Sequence, residues 1–217
     1  MMKIAERLLD LLYPPRCPFC RRILHSSNEL LCQDCLRSFA SIPASGYRRE
    51  IPNIRCVLAP FSYEGAVRES LHRYKFSGVT AYARTYAEFI GKCIDENRFS
   101  CDIITWVPLS RKRLRKRGYD QARLIADELA KRQGLKSMPL LKKTIDTKPQ
   151  SLTGSEEKRK ANASGAYACP DTAAVAGKRI LLVDDIVTTG ATLSECAKIL
   201  KAAGAAEVIG AAAASRN

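Results

Sequence analysis

Residues 180–192, Ile-Leu-Leu-Val-Asp-Asp-Ile-Val-Thr-Thr-Gly-Ala-Thr, constrain this chain more than any other stretch. Four apolar residues run without a polar break into Asp184 and Asp185. An unbroken apolar run bounded by polar residues is the pattern of a strand buried on both faces, as in parallel sheets. Leu193, Ala197 and Leu200 then recur at helical spacing, so a helix follows, with Thr192 as its expected N-cap. The residues between are small or hydroxylic: Thr188, Thr189, Gly190, Ala191 and Thr192. Their backbone N–H groups can close on an anion with the helix dipole behind them, and threonine hydroxyls add donors. Two carboxylates at the carboxyl end of the strand would repel phosphate but suit hydroxyls or a hydrated metal ion. A sugar phosphate meets both demands, with its phosphate in the loop and its hydroxyls at the acids.

This segment resembles the phosphoribosyl-pyrophosphate (PRPP) motif of the type I phosphoribosyltransferases. The resemblance implies that Asp184 and Asp185 take the ribose hydroxyls. It gives the 5′-phosphate to Thr188, Thr189, Gly190, Ala191 and Thr192, and implies Mg²⁺ bound together with PRPP. The competing reading of the residues is another doubly wound fold whose paired acids chelate Mg²⁺.

A second pattern lies near the N-terminus: Cys17-Pro-Phe-Cys20 and, eleven residues on, Cys32-Gln-Asp-Cys35. Two C-x-x-C knuckles present four thiolates tetrahedrally, which is the geometry of a closed structural Zn²⁺ site. Two disulfides would instead require an oxidising compartment. Lys3, Glu6, Arg7 and Asp10 interrupt the apolar pattern of the first 13 residues, so there is no signal-peptide core. No apolar stretch approaches the ~20 residues of a transmembrane span. Nine cysteines are an odd number, which fits four ligands plus free thiols. The expectation is a cytoplasmic protein with one structural zinc.

Pattern along the rest of the chain predicts its organisation. Residues 1–45 read as a separate module, an amphipathic helix (Ile4, Leu8, Leu11, Leu12) followed by the cysteine ribbon. Residues 41–53, with Pro43, Gly46 and Pro52, read as a linker. Within residues 46–217, strands are expected at 56–63, 103–107, 139–141, 180–183 and 207–211, and helices at 64–74, 81–94, 119–133 and after 192. The alanines at 211–214 are expected to complete the last strand. Strands alternating with helices imply an α/β fold, a parallel sheet flanked by helices, with ligands at the carboxyl ends of the strands.

Composition enters through charge. With 36 Lys and Arg against 22 Asp and Glu, the net charge is +14. Six of the seven residues Arg111-Lys112-Arg113-Leu114-Arg115-Lys116-Arg117 are basic, which predicts a polyanionic partner. Leu114 is the heptad's only apolar residue, so helical periodicity fails and a solvated mobile loop is expected. The heptad follows Pro108, Leu109 and Ser110, where phosphoribosyltransferases place their pyrophosphate loop. Ser110 with Arg111, Arg113, Arg115 and Arg117 would hold pyrophosphate through charge-assisted hydrogen bonds. Residues 142–168 form a polar insertion too long for a connector. Either it closes over PRPP, with Lys143, Gln150 and Arg159 facing pyrophosphate or an acceptor, or it is a charged surface loop.

Further motifs recur in order: Cys-Pro-Phe-Cys; Tyr74-Lys75-Phe76 then Gly78; Val107-Pro108-Leu109-Ser110; Arg117-Gly118-Tyr119-Asp120-Gln121-Ala122; Lys143-Thr144; Gln150-Ser151-Leu152; Arg159; Asn162. With the 183–190 motif they resemble the ComF family of competence proteins and GntX-type relatives, over nearly the whole chain from about Leu12. The resemblance implies a type I phosphoribosyltransferase fold behind a zinc ribbon. It adds Lys75 and Gln121 to the site candidates, and it links the chain to uptake of transforming DNA beside a ComFA-like helicase. Asp120 departs from the family, where many members have Asn.

Two functions are then expected. One is Mg²⁺-dependent transfer of phosphoribosyl from PRPP to an unknown acceptor. The other is a non-catalytic adaptor that retains a PRPP site and binds single-stranded DNA or the helicase. The thin aromatic content near the basic heptad, Trp106 and Tyr119 alone, weighs against base stacking.

Overall fold

The computed structural model describes residues 14–40, 42–145 and 165–216. The expected N-terminal helix, and Gln150 and Arg159 of the insertion, lie outside these residues. In chain order, the cysteine ribbon ends in α1 (Gln33–Ser38), and β1 (Tyr47–Ile51), β2 (Ile54–Ala59) and β3 (Phe61–Ser62) follow. Two helices, α2 (Gly65–Phe76) and α3 (Tyr82–Glu96), lead to β4 (Ile103–Trp106), α4 (Arg111–Arg117) and α5 (Gln121–Gln133). A two-stranded ladder of β5 (Lys142–Lys143) and β6 (Tyr167–Ala168) brackets the insertion. The chain then forms β7 (Arg179–Val187), α6 (Ala191–Ala202) and β8 (Glu207–Ser215).

The main sheet has the order β1-β2-β8-β7-β4, with β3 also alongside β8. All its pairings are parallel except β1 with β2. The apolar run of β7 explains its central place, because alternate residues feed two cores. Leu181 and Val183 face one core with Ile104, Trp106, Ile209 and the buried sides of α2, α3 and α5. Ile180 and Leu182 face the other, with Val208, Leu140, Leu141 and the buried side of α6. The tail alanines complete β8, as expected. They too divide between the layers, Ala211 and Ala213 on one side and Ala212 on the other.

Several expectations are corrected. Residues 47–51 of the supposed linker pair with β2 as an edge strand, because the main-chain groups of β2 need a partner on that side. Pro60 separates β2 from β3 where one strand was expected. The short strand expected to begin at Pro139 pairs only from Lys142 to Lys143, and Leu140 and Leu141 ahead of it are core. β7 does not end at the acids. Its ladder to β8 continues through Asp184 to Val187, opposite alanines that leave room for it. Gly190, not Thr192, is the N-cap of α6. The basic heptad is a helix, not a loop. The Ser110 side chain caps it by accepting from the Arg113 N–H at 3.3 Å, and Gly118, at φ 81°, ends it in the left-handed conformation that glycine tolerates. Arginine, lysine and leucine are good helix formers, and α4 buries none of its residues, so periodicity had nothing to record.

Candidate active site

The carboxyl ends of β7, β4 and β8 open into a cleft of ≈ 1140 Å³. Its walls bring together Lys75 from α2, Pro108 and Leu109 after β4, Arg113 and Arg117 from α4, Gln121 from α5, and Lys143 from β5. Asp184, Asp185, Thr188 and Thr192 also line it. Beside it, Thr188, Thr189, Gly190, Ala191 and Thr192 enclose a small cup of ≈ 30 Å³ that Asp184 also borders. Gly190 has φ 78°, and a Cβ there would sit 2.3 Å from Ile51 Cδ1. Thus β1 braces the cup from outside. Arg49 of the same strand donates to the carbonyl oxygens of Thr188 and, at 3.0 Å, Arg216.

The two acids differ in surroundings. Asp185 pairs with Lys75, Oδ1 to Nζ at 2.9 Å, with both side chains largely buried. Asp184 Oδ1 accepts the Asp185 N–H at 2.8 Å. Burial first, and then the neighbouring Asp185 charge, push the Asp184 carboxyl well above the usual carboxylate range. Asp184 nevertheless keeps a face open to the cleft. Asp120 is buried, and its burial raises its carboxyl too. Its oxygens accept from the N–H groups of Leu109 (3.0 Å) and Arg123 (3.2 Å), fixing the turn after β4 to the start of α5. The carboxylate gives each donor its own oxygen, Oδ2 to Leu109 and Oδ1 to Arg123.

Not every candidate from the sequence reaches the cleft. The Ser110 hydroxyl is buried and spent on capping α4, so its side chain is not aimed at a ligand. Arg111 and Arg115 are exposed and face away, while Arg113, Lys116 and Arg117, spaced i, i+3, i+4, line the cleft. Sequence reasoning also missed Tyr63, Glu64 and Arg68, at the turn from β3 into α2, as well as Tyr167 and Arg216. The strand-to-helix turn at residues 63–65 was the available signal, since it brings a second strand end to the same edge.

At the other end of the chain, the Sγ atoms of Cys17, Cys20, Cys32 and Cys35 all lie within 4.8 Å of one another. A tetrahedron with Zn–S bonds of ~2.3 Å has S···S edges of about 3.8 Å, so the four thiols fit a structural zinc. Phe19, between the first two cysteines, packs edge-on against Phe61 at 5.3 Å and Tyr86 at 6.4 Å. Arg73 of α2 donates to the carbonyls of Pro18 (2.8 Å) and Phe19 (3.1 Å). Among the described residues, no helix is long and apolar enough to cross a membrane.

Comparison with known proteins agrees with both halves of this picture. Residues 115–217 match the phosphoribosyl transferase domain and residues 8–46 the double zinc ribbon domain. Competence protein F of Haemophilus influenzae is 24% identical over 89% of this chain and 93% of its own length. Competence protein ComFC of Bacillus subtilis is 28% identical over 88% of this chain and 73% of its own. The DNA utilization protein YhgH of Salmonella typhimurium is 28% identical over 90% and 94%. The chain is therefore similar to the ComF-type competence proteins over about nine-tenths of its length, with a double zinc ribbon match ahead of a phosphoribosyl transferase domain match.

Proposed function

We propose that the cleft binds PRPP with Mg²⁺ and transfers its phosphoribosyl group to an acceptor. One observation supports this above the others: the paired acids stand between a cup built from the 188–192 loop, which Asp184 borders, and a cleft wall rich in cations. The cup takes the 5′-phosphate through backbone N–H groups and threonine hydroxyls. Asp184 and Asp185 accept from the ribose hydroxyls. Lys75, Arg113 and Lys143 face the pyrophosphate. Mg²⁺ arrives with that pyrophosphate and neutralises part of its charge. In the transfer the C1′–O bond breaks and pyrophosphate leaves with its electron pair. The acceptor's lone pair forms the new bond to C1′, and any proton on the nucleophile passes to water. Fixed charge placed where charge develops supplies the rate enhancement. Calorimetry with PRPP and Mg²⁺ tests the reading. Asp185→Asn removes charge-assisted hydrogen bonds worth about 1.5–3 kcal/mol, so affinity should fall at least roughly tenfold. Wild-type protein giving no binding heat would defeat the assignment.

A second reading, single-stranded DNA binding, draws support from α4. Arg111 and Arg115 are exposed on the face turned away from the cleft, where a PRPP site has no use for them. The R111Q/R115Q variant should keep PRPP affinity and lose two phosphate contacts. Each contributes about −0.7 to the log–log salt slope for single strands, so the slope should flatten by about 1.4. An unchanged slope removes this reading.

A further inference from the structure

The cleft wall carries a buried amide donor that has no hydrogen-bond partner among the described residues. Gln121, in the first turn of α5, is 1% exposed and lines the cleft wall. Its Oε1 accepts from Arg117 Nη1 at 2.8 Å. A guanidinium only donates, so this contact fixes which end of the amide is which. The other end, Nε2, has no hydrogen-bond partner among the described residues. Nor is the segment adrift. The Gln121 carbonyl accepts from the Tyr74 hydroxyl at 2.9 Å, and the Tyr119 hydroxyl donates to the Tyr74 carbonyl. Arg117 is steadied from the other side, its guanidinium 5.2 Å from the ring centroid of Phe76. Phe76, also on the cleft wall, is 60% exposed, unusual for an aromatic of this size.

Position separates this group from the phosphate cup. The cup opens α6, which packs on one face of the sheet, whereas Gln121 and Phe76 belong to α5 and α2, which pack on the other. The acids of β7 stand between. A ribose held by Asp184 and Asp185 with its 5′-phosphate in the cup therefore has the Gln121 group on its far side. That group has donors only, an amide NH₂ and the unspent guanidinium N–H groups, next to an exposed ring. Donors without acceptors select ligand oxygens that carry no proton, and the ring selects a flat body.

Building on the PRPP reading, we propose that Gln121, Arg117 and Phe76 form the acceptor subsite and that it takes a planar ring acid, bound through its carboxylate oxygens. Buried amide donors left unpaired reject analogues that cannot satisfy them, so the subsite discriminates strongly against a ligand offering a donor there. Nε2 is closed to solvent, so a ligand bound there requires the side chains around it to shift.

The test compares pyridine-3-carboxylate with pyridine-3-carboxamide as probes. Ligand-observed NMR would use the full chain with Mg²⁺ and pyrophosphate. Wild type should bind the acid at least tenfold more tightly than the amide. Gln121→Glu places a carboxylate against the ligand's and should abolish that preference; Gln121→Leu, neutral and of similar volume, should reduce it and serves if the charged variant does not fold. Phe76→Ala should weaken acid and amide alike. Equal affinity of wild type for the two probes overturns the proposal. It is also overturned if Gln121→Leu weakens pyrophosphate binding as much as acid binding, since the group would then belong to the pyrophosphate site. Failure of the underlying reading looks different: PRPP with Mg²⁺ would give no calorimetric heat with wild type, whatever the ring probes do.

Discussion

Replacing Lys75 by Met isolates the salt bridge that Asp185 makes at the cleft. The Lys75–Asp185 pair is 2.9 Å apart, with the side chains 19% and 13% exposed. Exposed pairs contribute about 0–1 kcal/mol, whereas breaking a fully buried pair costs about 3–5 because a charge is left uncompensated. This pair lies between the limits. Methionine also leaves Asp185, beside Asp184, without its salt-bridge partner, so we expect a loss of about 2–3 kcal/mol. For a chain of this size each kcal/mol lowers Tm by roughly 2–4 °C, giving a fall of about 4–12 °C. The loss should depend on pH in a defined direction. Lys75 pulls the Asp184 carboxyl down against burial and Asp185, so without it that carboxyl rises further. A carboxyl raised above its unfolded value costs nothing below the unfolded value, and its cost grows as pH climbs toward the folded value. Below the wild-type folded value both proteins bear the same cost, so the gap between variant and wild type should widen only as pH rises through about 8. Adding Asp185→Asn should recover most of the loss, because the stranded charge disappears. Thermal melts of the four proteins of this cycle, from about pH 6 to about pH 10, measure all of this. A Lys75→Met protein that melts with wild type, or one that Asp185→Asn fails to rescue, would refute the reasoning.

Metal analysis should find one zinc per chain, lost in Cys17→Ser. Because Phe19 packs on Phe61 and Tyr86, removing zinc should lower the main unfolding transition; a separate ribbon transition with the main one unmoved would contradict this. Gly190→Ala forces φ 78° on a residue with a Cβ and drives that atom into Ile51. We expect a loss of about 1–2 kcal/mol and weaker PRPP binding, and a variant equal to wild type in calorimetry and melting would show that the cup is not braced as described.

How much of this was legible depended on whether local pattern and tertiary role coincide. Ile180 to Val183 announced a central strand because both faces are buried. The acids looked like its end because polarity is the only cue to an end, whereas the ladder needs just room and a partner, which Ala212 and Ala214 provide. The four cysteines were readable because metal geometry fixes their spacing. The helix α4 was not, because it buries nothing and is held by its two caps, Ser110 and Gly118. Its division into a cleft face and a solvent face is a property of the fold alone. Gln121 was flagged as a candidate from the motif around it, but its unspent donor depends on Arg117 one turn away in α4.

The zinc ribbon and the acid pair are connected by a single helix. On α2, Arg73 is bonded to the knuckle carbonyls of Pro18 and Phe19, and Lys75, two residues on, is paired with Asp185. Tyr74 between them binds the Gln121 carbonyl, so three successive side chains join ribbon, acids and α5. Residues i, i+1 and i+2 on a helix point some 100° apart, which is how one segment can serve three neighbours. The Arg73 contacts require the knuckle backbone to be ordered, and four thiolates on one ion are what order it. The ribbon thus acts as a strut that fixes the helix from which Lys75 reaches Asp185, which gives a structural reason for joining the two modules in one chain.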